Sequence, residues 1–108
     1  MTYQRQYTAR FSKNLGRFQN IRARIKKRVD EIAHAPYQNT ERLGKASEGL
    51  NLKGCRSARV GRNIRILFVV CEECRKESEC EYCLCENLAD QTIVFLTINT
   101  HDKAYEMK

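Results

Sequence analysis

The 108-residue chain has a single proline, only two histidines and no apolar run long enough to cross a membrane. Its longest run, Ile64 to Cys71, is interrupted by Arg65 and falls far short of the roughly 20 residues a membrane helix needs. The start, Met1-Thr2-Tyr3-Gln4-Arg5, lacks the apolar segment that follows the charged start of a secretory signal. The expectation is a cytoplasmic protein with no membrane partner. A chain this short also lacks material for a second core, since a domain of about this size buries roughly two-thirds of the surface its unfolded chain exposes. Residues 1–108 are therefore expected to form one domain with one active surface.

Acidic residues are scarce where basic ones are dense. Residues 1–70 hold 16 Lys and Arg against 4 Asp and Glu, whereas residues 71–90 hold 2 against 7. Only the first region should attract a polyanion.

The apolar pattern predicts an order of elements. Tyr3 to Tyr7 reads as a short strand, and Phe11, Leu15 and Phe18 recur at helical spacing behind Thr8, a plausible cap. Ile21, Ile25, Val29 and Ile32 continue that spacing in a second helix, which Ala35-Pro36 ends because a residue before proline avoids helical dihedrals. The two helices are expected to form a hairpin. Arg22, Arg24, Lys26, Lys27 and Arg28 occupy the other faces of the second helix, either as a solvated exterior or as a phosphate surface. Gly54 to Val60, Ile64 to Val70 and Thr92 to Ile98 read as three further strands, the first two joined by a hairpin turn. This order implies an α+β fold: an N-terminal strand, a helical hairpin, then a three-stranded antiparallel sheet with the hairpin on one face and the other face open. Residues 71–90 form a Cys-rich insertion between the last two strands.

Within that insertion Cys71, Cys74, Cys80, Cys83 and Cys85 make CxxC-x5-CxxC-x-C. Each CxxC pair lets two thiolates reach one tetrahedral ion from a tight turn. The expectation is a structural zinc held by Cys71, Cys74, Cys80 and Cys83, with Cys85 spare and Cys55 an ordinary strand residue. Disulfides and unmetallated thiols are the rival readings. A closed shell leaves no position for substrate, and the glutamates around it would repel RNA, so catalysis is not placed here. The acidic insertion could instead face a basic protein or hold the chain off neighbouring RNA.

Arg59-Val60-Gly61, then Ile64-Arg65-Ile66-Leu67-Phe68-Val69-Val70, then His101-Asp102-Lys103-Ala104-Tyr105 resemble the pattern of the RelE/ParE toxin superfamily. The resemblance covers nearly the whole chain; only the Cys-rich stretch is foreign, where a typical member has a short turn. The His and Tyr of the ending, with Gly44-Lys45-Ala46-Ser47-Glu48, look most like the ribosome-dependent ribonucleases of the RelE and YoeB type. The resemblance implies the toxin of a type II toxin–antitoxin system. Such a toxin cleaves messenger RNA in the ribosomal decoding site by attack of a ribose 2′-hydroxyl on the adjacent phosphate, without a metal. It also implies a neutralising antitoxin protein, an acidic or amphipathic segment that wraps the hairpin or masks the basic face.

That reaction needs a base for the hydroxyl proton, an acid for the leaving 5′-oxygen, and positive charge at the equatorial oxygens. His101 is the obvious titrating group and is expected to act as general acid or base; His34 reads as an ordinary surface histidine. Arg65 stands alone in an apolar strand and points opposite to Ile64, Ile66 and Phe68, so it emerges on the other face. Arg59 and Arg56 are expected to join it on the phosphate, with Lys53 and Lys103 as further cations, whereas Arg62 reads as surface charge. Tyr105 could stack on a splayed base or donate a proton, and Glu48 could serve as the base if its loop folds over the sheet. Where some RelE members carry a lysine-rich strand, this chain has Gly54-Cys55-Arg56-Ser57, a departure that leaves the base unassigned. Two other functions fit the same residues: a ParE-like gyrase poison, which would not need the His and Tyr ending, and a noncatalytic RNA-binding regulatory module.

Overall fold

The computed structural model describes residues 2–43, 54–76 and 88–100. Strand β1 (Gln4–Tyr7) leads through Thr8 into helix α1 (Ala9–Leu15). Thr8 has extended backbone, and its hydroxyl accepts the Phe11 amide at 3.1 Å, which satisfies a donor that the first helical turn cannot satisfy itself. The same hydroxyl donates to the Leu96 carbonyl at 2.6 Å and ties the cap to the sheet. The helix expected to run through Phe18 stops at Leu15. Gly16–Ile21 is a 3₁₀ segment in which Phe18 leaves helical dihedrals (φ −119°, ψ 38°); Gly16 at its start is a poor helix former. Helix α2 (Arg22–His34) then buries Ile25, Val29, Ile32 and Ala33 on one face, the spacing read from the sequence. The expected pair of helices is thus a short helix, a 3₁₀ segment and one long helix.

Strands β2 (Thr40–Arg42), β3 (Arg56–Val60) and β4 (Ile64–Val70) follow, then a single helical turn α3 (Cys71–Cys74) and strand β5 (Thr92–Thr100). They form one sheet in the order β1-β5-β4-β3-β2. The β3–β4 and β4–β5 pairs are antiparallel as expected. β1 pairs parallel with β5, however, and β2 pairs with β3, so the expected three-stranded antiparallel sheet is a five-stranded mixed one. The parallel pair joins the two ends of the chain, for which no local signal exists. β2 is Thr-Glu-Arg, too short and too polar to alternate. Gly61, at φ +66°, makes the β3–β4 turn in the left-handed region that glycine enters without strain.

The helix-facing core gathers Ile25, Val29 and Ile32 of α2 against Ala58, Val60, Ile66, Phe68, Ile93, Phe95 and Ile98 of the sheet. Phe95 is its centre, with ring centroids 5.6 Å from Phe11, 6.0 Å from Phe68 and 5.3 Å from Tyr7. Such aromatic pairs add about 0.5–1.5 kcal/mol each beyond the area they bury.

The opposite face departs from expectation, because it is not open along its length. Cys55, Leu67, Val69, Val94 and Leu96 are buried there in a second apolar cluster with Cys71 and Cys74 of α3, and Leu43 and Leu88 pack against it. The physical reason lies in β4, whose near-continuous apolar run puts Leu67 and Val69 on this face and demands cover on both sides. Among the described residues the face carries Arg59 and Arg65 toward the β3–β4 turn.

Candidate nucleic-acid interface

At that end Arg59 of β3 and Arg65 of β4 stand directly opposite each other. Residues opposed across an antiparallel pair point to the same face, and like charges so placed destabilise the sheet by tenths of a kcal/mol to about 1 kcal/mol. Arg59 is exposed; Arg65 is 9% exposed, and its Nη1 reaches only the Arg62 carbonyl at 3.4 Å and the Ile64 carbonyl at 3.3 Å. No carboxylate among the described residues pairs with either. Several other guanidinium groups have a carboxylate partner: Arg5 has Asp30, Arg28 has Glu31 at 3.6 Å, Arg56 has Glu73 at 2.9 Å and Arg75 has Asp90. The Arg59–Arg65 pair is therefore two cations opposed on neighbouring strands, without a carboxylate partner among the described residues.

Helix α2 backs this end of the sheet. Arg28 donates from Nε to the Arg59 carbonyl at 3.0 Å and from Nη2 to the Asn39 carbonyl at 2.8 Å, which fixes the helix to the β3 edge. The Arg24 guanidinium lies beside Gly61 in the turn, 3.7 Å from where a Cβ would stand. Arg24 and Arg28 of α2 thus approach the arginine pair around the β3–β4 turn.

Arg56, grouped with Arg59 by the sequence reading, is brought elsewhere. It is opposite Phe68, on the helix side of the sheet. Its fork grips Glu73 (Nε–Oε1 2.9 Å, Nη2–Oε2 2.9 Å), Nη1 donates to Thr40 Oγ1 at 3.1 Å, and the guanidinium lies 4.7 Å from the Tyr37 ring centroid. Arg56 is committed to the fold. The reason was readable: residues three apart on a strand face opposite ways.

Glu73 and its neighbour Glu72 are structural residues that the sequence reading did not find. Glu72 accepts hydrogen bonds from the Tyr3 hydroxyl and, at 2.9 Å, from the Tyr37 hydroxyl. Burial and the bond to Glu72 push the Tyr37 hydroxyl up from its ordinary value, although the residue remains 44% exposed; the bond to Glu72 and then burial do the same for Tyr3. Two carboxylates of the acidic insertion are thereby spent on holding its first turn to the core.

Of the expected zinc ligands, Cys71 and Cys74 lie one helical turn apart, both buried in the second apolar cluster. Cys71 is disulfide-bonded. Among the described residues no group of three metal-ligating side chains converges. Cys80, Cys83 and Cys85 lie outside the described residues, as do Glu48, Lys53, His101, Lys103 and Tyr105. The last three follow β5 in sequence, whose final residue Thr100 is opposite Ile64, the neighbour of Arg65. Among the described residues no helix is long and apolar enough to cross a membrane.

No protein-family model matches the chain, and no curated protein matches it in sequence. Solved structures do match its fold. The RelBE2 toxin–antitoxin complex from Mycobacterium tuberculosis superposes with a TM-score of 0.66 at 18% identity, over 94% of this chain and 93% of that one. A YoeB/ParE toxin from Agrobacterium tumefaciens gives 0.62 at 12% identity, over 91% and 98%. The archaeal RelE–RelB complex from Pyrococcus horikoshii OT3 gives 0.61 at 17% identity, over 96% and 100%. Five paired strands, one long helix across one face and near-complete coverage of both chains carry the likeness; the chain has the fold of the RelE/ParE-like toxins.

Proposed function

We propose that this chain is the toxin of a type II toxin–antitoxin system, a ribosome-dependent endoribonuclease that cuts messenger RNA by 2′-hydroxyl attack on the adjacent phosphate. The observation that carries this reading is the Arg59–Arg65 pair, two guanidinium groups opposed on neighbouring strands with no carboxylate partner among the described residues. A phosphodiester supplies the missing counter-charge, and the planar fork suits its oxygens. In this reading Arg59 and Arg65 hold the equatorial oxygens as they gain charge. His101 moves a proton to or from the reacting oxygens, Tyr105 stacks on the base or donates a proton, and Glu48 is the alternative base. Lys53 and Lys103 add positive charge to the RNA path.

The antitoxin partner has a place in the same reading. A groove of about 490 Å³ runs between β1, α1 and α2, with Tyr7 and Leu15 in its wall and Arg22 and Lys26 at its rim. Tyr7 is 47% exposed, unusual for a large aromatic. An apolar floor with a basic rim fits an amphipathic segment that carries acidic side chains, bound helix-in-groove. Residues 71–90 serve as a cross-linked connection, by the Cys71 disulfide or, once that is reduced, by a zinc shared among Cys71, Cys74, Cys80 and Cys83. Native mass measurement before and after chelation separates the two.

The function is tested by adding purified protein to translating ribosomes and mapping messenger ends by primer extension. Codon-phased cuts that Arg65→Ala and His101→Ala lose are the expected result. Absence of cuts at any protein concentration would reject the nuclease and leave a noncatalytic RNA-binding module or a ParE-like gyrase poison.

A further inference from the structure

A second groove, of about 660 Å³, opens between α2 and the β2–β3 edge, and its mouth is shared with the arginine pair, since Arg59 and Arg65 line it. Its charge does not suit a polyanion. Three arginines (Arg28, Arg59, Arg65) are set against two carboxylates (Glu31, Glu41), and the rest of the wall includes amide, hydroxyl and imidazole groups. A trough built for phosphates would exclude glutamates; a pocket that reads a neutral, hydrogen-bonding ring needs both donors and acceptors. The wall is also fixed. Arg28 is tied to the Arg59 and Asn39 carbonyls, and Thr40 Oγ1 donates to the Pro36 carbonyl at 2.8 Å.

From this we infer that the groove between α2 and β2–β3 is a base-reading pocket, which takes a single unpaired guanine from the RNA whose phosphate Arg59 and Arg65 hold. The inference rests on the reading of that arginine pair as an RNA site and adds the specificity determinant. The size is that of a small-ligand pocket. Guanine is singled out because it alone presents two adjacent N–H donors on its Watson–Crick edge, and a carboxylate accepts such a pair side by side. Glu31 and Glu41 are both exposed, and while Glu31 pairs with Arg28, Glu41 forms no ion pair among the described residues, so its carboxylate remains available to a base. His34 and Gln38 line the groove as further partners for the base edges, and a guanidinium plane offers a stacking surface.

The test needs no ribosome. The isotope-labelled protein is titrated with each of the four nucleoside 5′-monophosphates while the amide signals of residues 38–41 and the His34 imidazole are followed by NMR. Guanosine monophosphate is expected to shift these signals and to bind at least ~5-fold more tightly than the other three, a difference of about 1 kcal/mol. The doubly substituted Glu31→Gln, Glu41→Gln protein should lose that preference and keep its affinity for the other nucleotides within about twofold. Both side chains are exposed, and circular dichroism verifies the fold. Signals unmoved in the groove, binding without base preference, or a preference that survives the double substitution would overturn the pocket. Arg59→Ala separates the two readings. If it weakens all four nucleotides alike, the phosphate site stands beneath the base pocket; if the guanine preference persists with affinity unchanged, the pocket stands and the phosphate role of Arg59 falls.

Discussion

Arg56 and Arg59 stand three residues apart on β3 and serve opposite faces of the sheet. Arg56 is locked to Glu73, both side chains being largely buried (11% and 16% exposed), whereas Arg59 is exposed and faces another cation. Removal of one partner from a buried ion pair strands the other charge. Arg56→Ala is therefore expected to destabilise the fold by about 2–4 kcal/mol, lowering Tm by on the order of 10–20 °C in a domain of this size. Arg59→Ala should stay within about 0.5 kcal/mol of the parent, since it relieves like-charge repulsion. Urea unfolding of the two variants reads the contrast directly, and equal costs would mean that the two residues do not divide their work by face.

A complementary contrast holds for the chemistry. Arg65→Lys keeps the charge at the β4 position but loses the fork that meets two phosphate oxygens at once. Single-turnover cleavage on ribosomes is expected to slow on the order of 10²-fold, the scale of losing one preorganised transition-state donor. Arg62 contributes its carbonyl to Arg65, not its side chain, so Arg62→Ala should cut at close to the parent rate. Undiminished cleavage by Arg65→Lys would remove the phosphate clamp from the mechanism.

What could be read from the sequence is what is decided locally. The Thr8 cap, the buried face of α2, the bounds of β4 and the glycine turn at Gly61 each follow from a few neighbouring residues. The parallel β1–β5 pair is not local, and β2 carries no apolar alternation, so both were invisible. The site divides in the same way. Arg65 was legible because a lone cation in an apolar strand must leave by the opposite face, but its partner was legible only from register, which the Gly61-to-Asn63 turn sets by placing Arg59 against Arg65. Arg56 was grouped with Arg59 by nearness in sequence although the strand period separates them. The anchoring glutamates escaped because Glu72 and Glu73 sit in an acidic stretch where no spacing distinguishes a buried carboxylate from a solvated one.

Those glutamates give the protein an alkaline weakness. The Tyr37 hydroxyl is held protonated in the fold by burial and by donation to Glu72, so its pKa is raised above the ordinary 10.0. Below pH 10 the native and unfolded chains carry the same proton, and the hydrogen bond contributes in full. Above it the unfolded tyrosine ionises first, the native state binds more protons, and stability falls as pH rises. Tyr3, raised by the same carboxylate, adds to the fall. Urea midpoints are expected to drop between about pH 10 and 11, and Tyr37→Phe should flatten that drop while lowering stability at neutral pH by about 1 kcal/mol. A profile of the same slope in Tyr37→Phe would assign the alkaline loss to other groups.

The groove beside β1 can be tested separately, because its two rim cations do not line the groove that holds Arg59 and Arg65. Arg22 and Lys26 are four residues apart on α2, hence on one face, and both are exposed. An acidic antitoxin segment seated over Tyr7 would meet both, and exposed charges of this kind govern association rate and its salt dependence more than the lifetime of the complex. Reversal of both, Arg22→Glu with Lys26→Glu, should weaken binding to the cognate antitoxin about 10-fold or more at low salt, with most of the loss in the association rate. The effect should shrink as salt rises to ~0.5 M, where the Debye length falls below about 5 Å. Under the proposed nuclease reading, cleavage by the chain alone should be unaltered, since Arg22 and Lys26 line a different groove from Arg59 and Arg65. Calorimetry and surface kinetics on the same variant report both halves; unchanged antitoxin affinity would move the partner to another face, and lost cleavage would place α2 in the RNA path.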